Sequence, residues 1–184
     1  MSDQYPKDLT VEIDRERLRK YYQISTFLAI MAASIAIGCT STFGRIGDGL
    51  KEAGLKSIND LIFYTIRGLA AGFGVSVLVA LLIYFVFFHR SAGRRAASLV
   101  VTVEGPFLRV QQHAVISTDR KLHFRAIVDY SAIQGWLMRR CGIHALRMNT
   151  MAGGQSSILT IYGVKDCLRM RDILSDLDRL RENQ

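Results

Sequence analysis

Two long stretches of the chain carry no charged side chain: Tyr21–Gly44, 24 residues, and Gly68–Phe88, 21 residues. At ~1.5 Å of rise per residue, a helix over either one matches or exceeds the ~30 Å of a hydrocarbon core. In lipid a helix satisfies its own backbone polar groups, whereas a lone strand leaves them unpaired. The pattern predicts a chain that crosses a bilayer twice and works at a membrane. Neither stretch contains Asp, Glu, Lys, Arg or His, which argues against an ion or proton path through the spans.

The stretches divide the chain into an N-terminal tail (1–20), a first span (21–44), an external loop (45–67), a second span (68–88), a basic juxtamembrane linker (89–97) and a C-terminal domain (98–184). A cleaved signal peptide fits poorly, because the first stretch is longer than a ~7–15-residue apolar core and its flank is acid-rich. Orientation follows the basic residues nearest the spans. Arg15, Arg17, Arg19, Lys20, Arg90, Arg94 and Arg95 make seven on one side, against four (Arg45, Lys51, Lys56, Arg67) in the loop. Both termini are therefore expected in the cytoplasm. Cys39, Cys141 and Cys167 are isolated and read as reduced thiols.

Small residues recur at fourfold spacing in the spans: Ala29 and Ala33, Ala32 and Ala36, Gly68 and Gly72, Ala70 and Gly74. Such spacing lets two helix backbones approach closely, so a packed hairpin is expected. In the loop, Leu50, Gly54, Ile58, Leu61, Ile62 and Thr65 recur at helical spacing, with Ser57 or Asp48 as caps. That predicts an amphipathic segment at the outer interface, with Arg67 snorkelling outward or, if deeper, a functional candidate. Met1–Asp8 is expected to be disordered, and 10–20 to form a short helix or extension leading into the first span.

Beyond the basic linker the periodicity changes. Leu99–Val103, Phe107–Ile116, Lys121–Val128, Ile143–Thr150 and Ser156–Gly163 read as strands, with turns at Gly105-Pro106 and Gly153-Gly154. Lys165–Glu182 returns to a helical repeat, with Cys167, Leu168, Met170, Ile173, Leu174, Leu177 and Leu180 as its apolar stripe. The expected class is an α+β membrane protein: a transmembrane hairpin followed by several antiparallel strands closed by a C-terminal amphipathic helix.

Three places carry a family resemblance: Ile127-Val128-Asp129-Tyr130-Ser131-Ala132-Ile133-Gln134-Gly135; Arg139-Arg140-Cys141-Gly142-Ile143 with Leu146, Met148, Thr150, Ala152 and Gly153; and Ile161-Tyr162-Gly163-Val164-Lys165-Asp166. In this order they resemble the bacterial pleckstrin-homology-like domain of the YdbS/YdbT-type membrane proteins, over about 80 of the 184 residues. The resemblance implies a pleckstrin-homology-like fold, a bent antiparallel sheet or partial barrel capped at one end by its C-terminal helix. It also implies a bacterial inner membrane location and a membrane-anchored module.

No nucleophile, metal-ligand or phosphate-loop signature is present. His89, His113, His123 and His144 are scattered, Cys141 near His144 lacks an orienting acid, and neither enzymatic activity nor a cofactor or metal is expected. Nucleic acid is not an expected partner despite a pI near 9.7, because aromatics do not alternate with the basic residues. Two non-enzymatic roles stand. One is a scaffold binding itself or another membrane protein, with the apolar triplet Trp136, Leu137 and Met138 as partner surface. The other is an anchored sensor of anionic phospholipid, with Arg90, Arg94, Arg95, Arg120, Lys121, Arg139 and Arg140 at the headgroups. Specific phosphoinositide binding is not expected, since the loop Glu104-Gly105-Pro106 is acidic where eukaryotic pleckstrin-homology domains are basic.

Overall fold

The structure, a computed structural model, describes residues 8–53, 58–113, 116–152 and 155–182. The expectations at Met1–Lys7, at Gly54 and Ser57, and at the Gly153-Gly154 turn lie outside the described residues. The chain forms two compact units, Gln23–Arg90 and a second built from Met1–Tyr22 with Ser91–Gln184.

The unit Gln23–Arg90 is helical throughout its described residues. Helix α1 (Arg15–Ala53) enters it at Gln23; α2 (Ile58–Leu69), a π turn (Ala70–Gly74), α3 (Val75–Ile83) and a second π turn (Tyr84–Phe88) follow one another without a break. The expected loop 45–67 is thus helix on both sides of the undescribed 54–57, and Arg67 is exposed. Two helices, Arg15–Asp48 and Thr65–Ser98, are long and apolar enough to cross a membrane.

The hairpin contact uses a different face from most of the small residues picked out by spacing. Ser34, Gly38 and Thr42 are buried on α1, while Ala29, Ala32, Ala33 and Ala36 are exposed. Opposite them lie Gly68, Gly72, Ser76, Ala80 and Tyr84, while Ala70 and Gly74 face outward. Thr42 Oγ1 donates to Gly68 O (3.4 Å), Ser76 Oγ to Ser34 O (3.3 Å) and Tyr84 OH to Gln23 O (3.3 Å). Ser76 Oγ also lies 2.9 Å from Phe73 O of its own helix. Residues four apart advance ~40° around an α-helix, so a stripe from 68 to 84 would drift ~160°. The π turn at Ala70–Gly74 accommodates about one extra residue, which takes back ~100° and keeps the stripe facing α1.

The other unit holds two antiparallel sheets. β1 (Asp8–Thr10), β2 (Val100–Glu104), β3 (Phe107–His113) and β4 (Ser117–His123) form the first, in that order. β5 (Ile127–Ile133), β6 (Ala145–Ala152) and β7 (Gln155–Tyr162) form the second. Helix α5 (Trp136–Cys141) connects β5 to β6, and α6 (Cys167–Glu182) follows β7. The sheets do not close into a barrel.

Period-two alternation drives the first sheet. Val101, Val103, Leu108 and Val110 point inward and meet Phe124, Leu146, Met148, Ile161, Leu174 and Leu177 in one core. The α6 stripe is buried at Cys167, Leu174 and Leu177, whereas Leu168 is exposed. All three cysteines are free thiols, and burial pushes the Cys167 thiol up from its ordinary range.

Residues 8–22 belong to this core and are not a tail. Leu9 pairs with Val103 in the β1–β2 ladder, Val11 N donates to Val101 O (2.9 Å), and Ile13 bridges Val164. Lys165 pairs with Glu12, and Asp14 N donates to Gly163 O (2.8 Å). Leu18, in the first turns of α1, is fully buried at 0% exposure, with its Cβ 3.1 Å from where a Cβ on Gly163 would stand. Gly163 has φ +78°, so a glycine is required there twice over: for the left-handed backbone and for the room Leu18 takes. The expected linker is likewise helical, as α4 (His89–Ser98), with Ala92 and Ala96 buried.

The outer face of the first sheet is an ionic lattice. Arg109 forks onto Asp119 (2.7 and 3.1 Å) and reaches Glu104 (3.3 Å); Lys121 pairs with Glu104 (3.6 Å) and lies 4.6 Å over the Phe107 ring. The Arg109 hydrogen bonds, then that of Gln111, hold the Asp119 carboxyl down at about 2 against an ordinary 3.8. A carboxyl depressed by folding stabilises the fold above its ordinary value, and that contribution is lost as pH falls from 3.8 through about 2. The thermal midpoint of the wild type should fall over this window, and Asp119→Asn should flatten that part of the profile. The effect is modest and weakens with salt, because the pair is solvent-exposed.

Candidate functional site

The two sheets splay apart between β4, the last strand of the first, and β7, the last strand of the second, leaving an open cleft of about 240 Å³. Its position follows from strand register. Gln112 pairs with Thr118 and Val110 with Arg120, so Thr118 and Arg120 share the inward face of their sheet with Val110. Leu99, Val110 and Ile161 make an apolar floor. Leu159, Thr160 and Tyr162 form the β7 wall, and Tyr22, edge-on to Tyr162 (ring centroids 6.3 Å apart), closes one end. Among the described residues the lining contains a guanidinium, hydroxyls and an amide, and no carboxylate.

A second cavity of about 380 Å³ is lined by Asp14, Arg17, Gly142, His144, Lys165 and Asp166, among others. Its charges are largely spent on the fold. Arg17 pairs with Asp14 (3.3 Å) and donates to Gly142 O (3.1 Å), while the Glu12 carboxylate holds the Lys165 ammonium above its ordinary range. These bonds tie the N-terminal segment to the second sheet.

The expected headgroup residues fall on several elements. Arg120 and Lys121 are neighbours on a strand and point to opposite faces, Arg120 into the cleft and Lys121 into the outer ionic lattice. Arg139 and Arg140 are exposed on α5, Arg94 and Arg95 lie on α4, and Arg90 belongs to the helical unit. Trp136, Leu137 and Met138 form the first turn of a six-residue helix stopped by Gly142 in the left-handed conformation (φ +66°). Met138 is core and Trp136 is 67% exposed, with Leu137 between. The triplet therefore offers one indole, beside two arginines, and not a continuous apolar surface.

Sequence reasoning singled out Arg120 but missed Tyr22, Gln112, Thr118 and Tyr162 as its neighbours. A signal existed in the contrast between Ser117–His123, which carries three charges, and Gln155–Tyr162, which carries none. His144 is exposed and Cys141 half-buried, and among the described residues no three His, Cys, Asp or Glu side chains gather as a metal would require. No family model, curated protein or solved structure matches the chain.

Proposed function

We propose that the chain is a membrane-anchored, non-enzymatic interaction module of pleckstrin-homology-like type, which binds another membrane protein or assembles with itself at the inner leaflet of a bacterial cell membrane. The observation that carries this reading is the open cleft between two free strand edges, a geometry suited to receiving a segment of polypeptide. Two antiparallel sheets followed by one terminal helix agree with the fold the YdbS/YdbT-type resemblance implies. Bilayer residence is supported by the helices' exposure. Only 11% and 17% of their apolar windows are buried, whereas a core helix of a soluble protein would be mostly covered. Phe43, Leu78 and Phe87 are 76%, 61% and 67% exposed, which suits lipid and not water. Because β1 pairs with β2, the segments before and after the hairpin belong on one side of the membrane.

A second reading, an anchored sensor of anionic phospholipid, is favoured by one feature: exposed Trp136 beside exposed Arg139 and Arg140 on α5. Purification of the tagged full chain from its native membranes in mild detergent separates the two. The interaction module is expected to bring a second polypeptide at fixed stoichiometry, or to run as a discrete oligomer. A lone monomer argues for the sensor if it binds phosphatidylglycerol vesicles and loses that binding when Arg120, Lys121, Arg139 and Arg140 are neutralised.

A further inference from the structure

The strands bordering the cleft differ in character. β4 carries Asp119, Arg120 and Lys121 within seven residues, the kind of charge that keeps an edge from pairing. β7 runs for eight residues, Gln155 to Tyr162, with no charge and no proline. Among the described residues, its backbone hydrogen bonds go to β6 alone. A long, uncharged, uncovered edge is a template for another strand.

The wall facing that edge is cationic. Arg120 is exposed in the cleft. It makes no ion pair among the described residues. The nearest acid in sequence, Asp119, points to the opposite face and is held by Arg109 and Gln111.

We propose that the cleft takes an extended acidic segment of a partner protein, added as a strand to the free edge of β7 with a carboxylate turned toward Arg120. The inference rests on the interaction-module reading and names its partner's chemistry. A second copy fits less well, because its own β7 brings no acid to Arg120. A lipid headgroup would engage the arginine and leave the strand edge unpaired.

The probe is a fluorescein-labelled decapeptide alternating Val and Thr around one central Glu, compared with its Lys counterpart. Both are titrated by anisotropy onto the purified full chain in detergent micelles. The Glu peptide is expected to bind about tenfold more tightly or better, and Arg120→Glu to reverse the preference. Methylating alternate peptide amides should abolish binding in one register and spare it in the other, as strand addition requires. An unchanged thermal midpoint in the Arg120→Glu variant shows the fold intact. Equal binding of the two peptides, binding of neither, or a preference that survives Arg120→Glu overturns the proposal. So does Arg120-dependent binding of phosphatidylglycerol vesicles in place of peptide, or a dimer sealed through β7. A stoichiometric partner that co-purifies equally with wild type and Arg120→Glu overturns this proposal while leaving the interaction module standing.

Discussion

Gly72→Leu is expected to pry the helical hairpin apart, while Gly74→Leu, two residues away, leaves it intact. A Cβ on Gly72 would lie 2.5 Å from Thr42 Oγ1, 2.9 Å from Ser41 Oγ and 3.1 Å from Thr42 N. The hydroxyls can rotate away, but the backbone nitrogen cannot, so a larger side chain has to separate the helices. Separation also forfeits the interhelical bonds of Thr42 and Ser76. Overpacking of this kind costs about 1–3 kcal/mol or more. A Cβ on Gly74 meets nothing within 4 Å, and its variant should stay within about 0.5 kcal/mol of wild type. Unfolding in mixed micelles by titration with sodium dodecyl sulfate measures both. Equal midpoints for the two variants would show that the packed face has been misassigned.

Leu18→Ala is expected to destabilise the sheet unit by about 2–5 kcal/mol, the cost of emptying a fully buried leucine site. The residue precedes the first apolar stretch, and the strands it supports begin some eighty positions later, at Val100. Its effect on the sheets arises because the N-terminal segment joins the first sheet through β1 and bridges from Ile13 to Val164, just beyond β7 of the second. Glu16→Ala, on the same turns of α1 and paired with exposed Lys20, should change stability little. Thermal unfolding followed by near-ultraviolet circular dichroism distinguishes them. A silent Leu18→Ala would mean that residues 8–22 are dispensable to the fold.

The apolar stretches were legible because composition alone specifies them, and the strands from Val100 onward because alternation repeats over several residues. Short elements escaped. Three residues, Asp8–Thr10, are too few to show a period, and β1 exists only because β2 offers it an edge. Trp136-Leu137-Met138 reads equally as strand or helix until Gly142 is seen to adopt a left-handed stop. The hairpin face was half legible. Gly68 and Gly72 were found, but spacing could not say that Ser34, Gly38 and Thr42 would face them in place of the alanines, since small residues ring the first helix. The π turn that keeps the stripe in line leaves no mark in the sequence. The cleft was hidden for another reason: it depends on how far two sheets splay between β4 and β7, and no local pattern encodes that distance.

One sheet unit, assembled from chain on both sides of an apolar hairpin, is proposed to be held at a bilayer by that hairpin. With Cys39, Cys141 and Cys167 replaced by serine, single cysteines are placed at Glu12, Asp60 and Asp178 and probed in sealed inside-out vesicles with a membrane-impermeant maleimide. Labelling at Glu12 and Asp178, with Asp60 reactive only after the membrane is breached, is the predicted result. Glu12 and Asp178 on opposite sides, or all three labelled alike in intact vesicles, would contradict it.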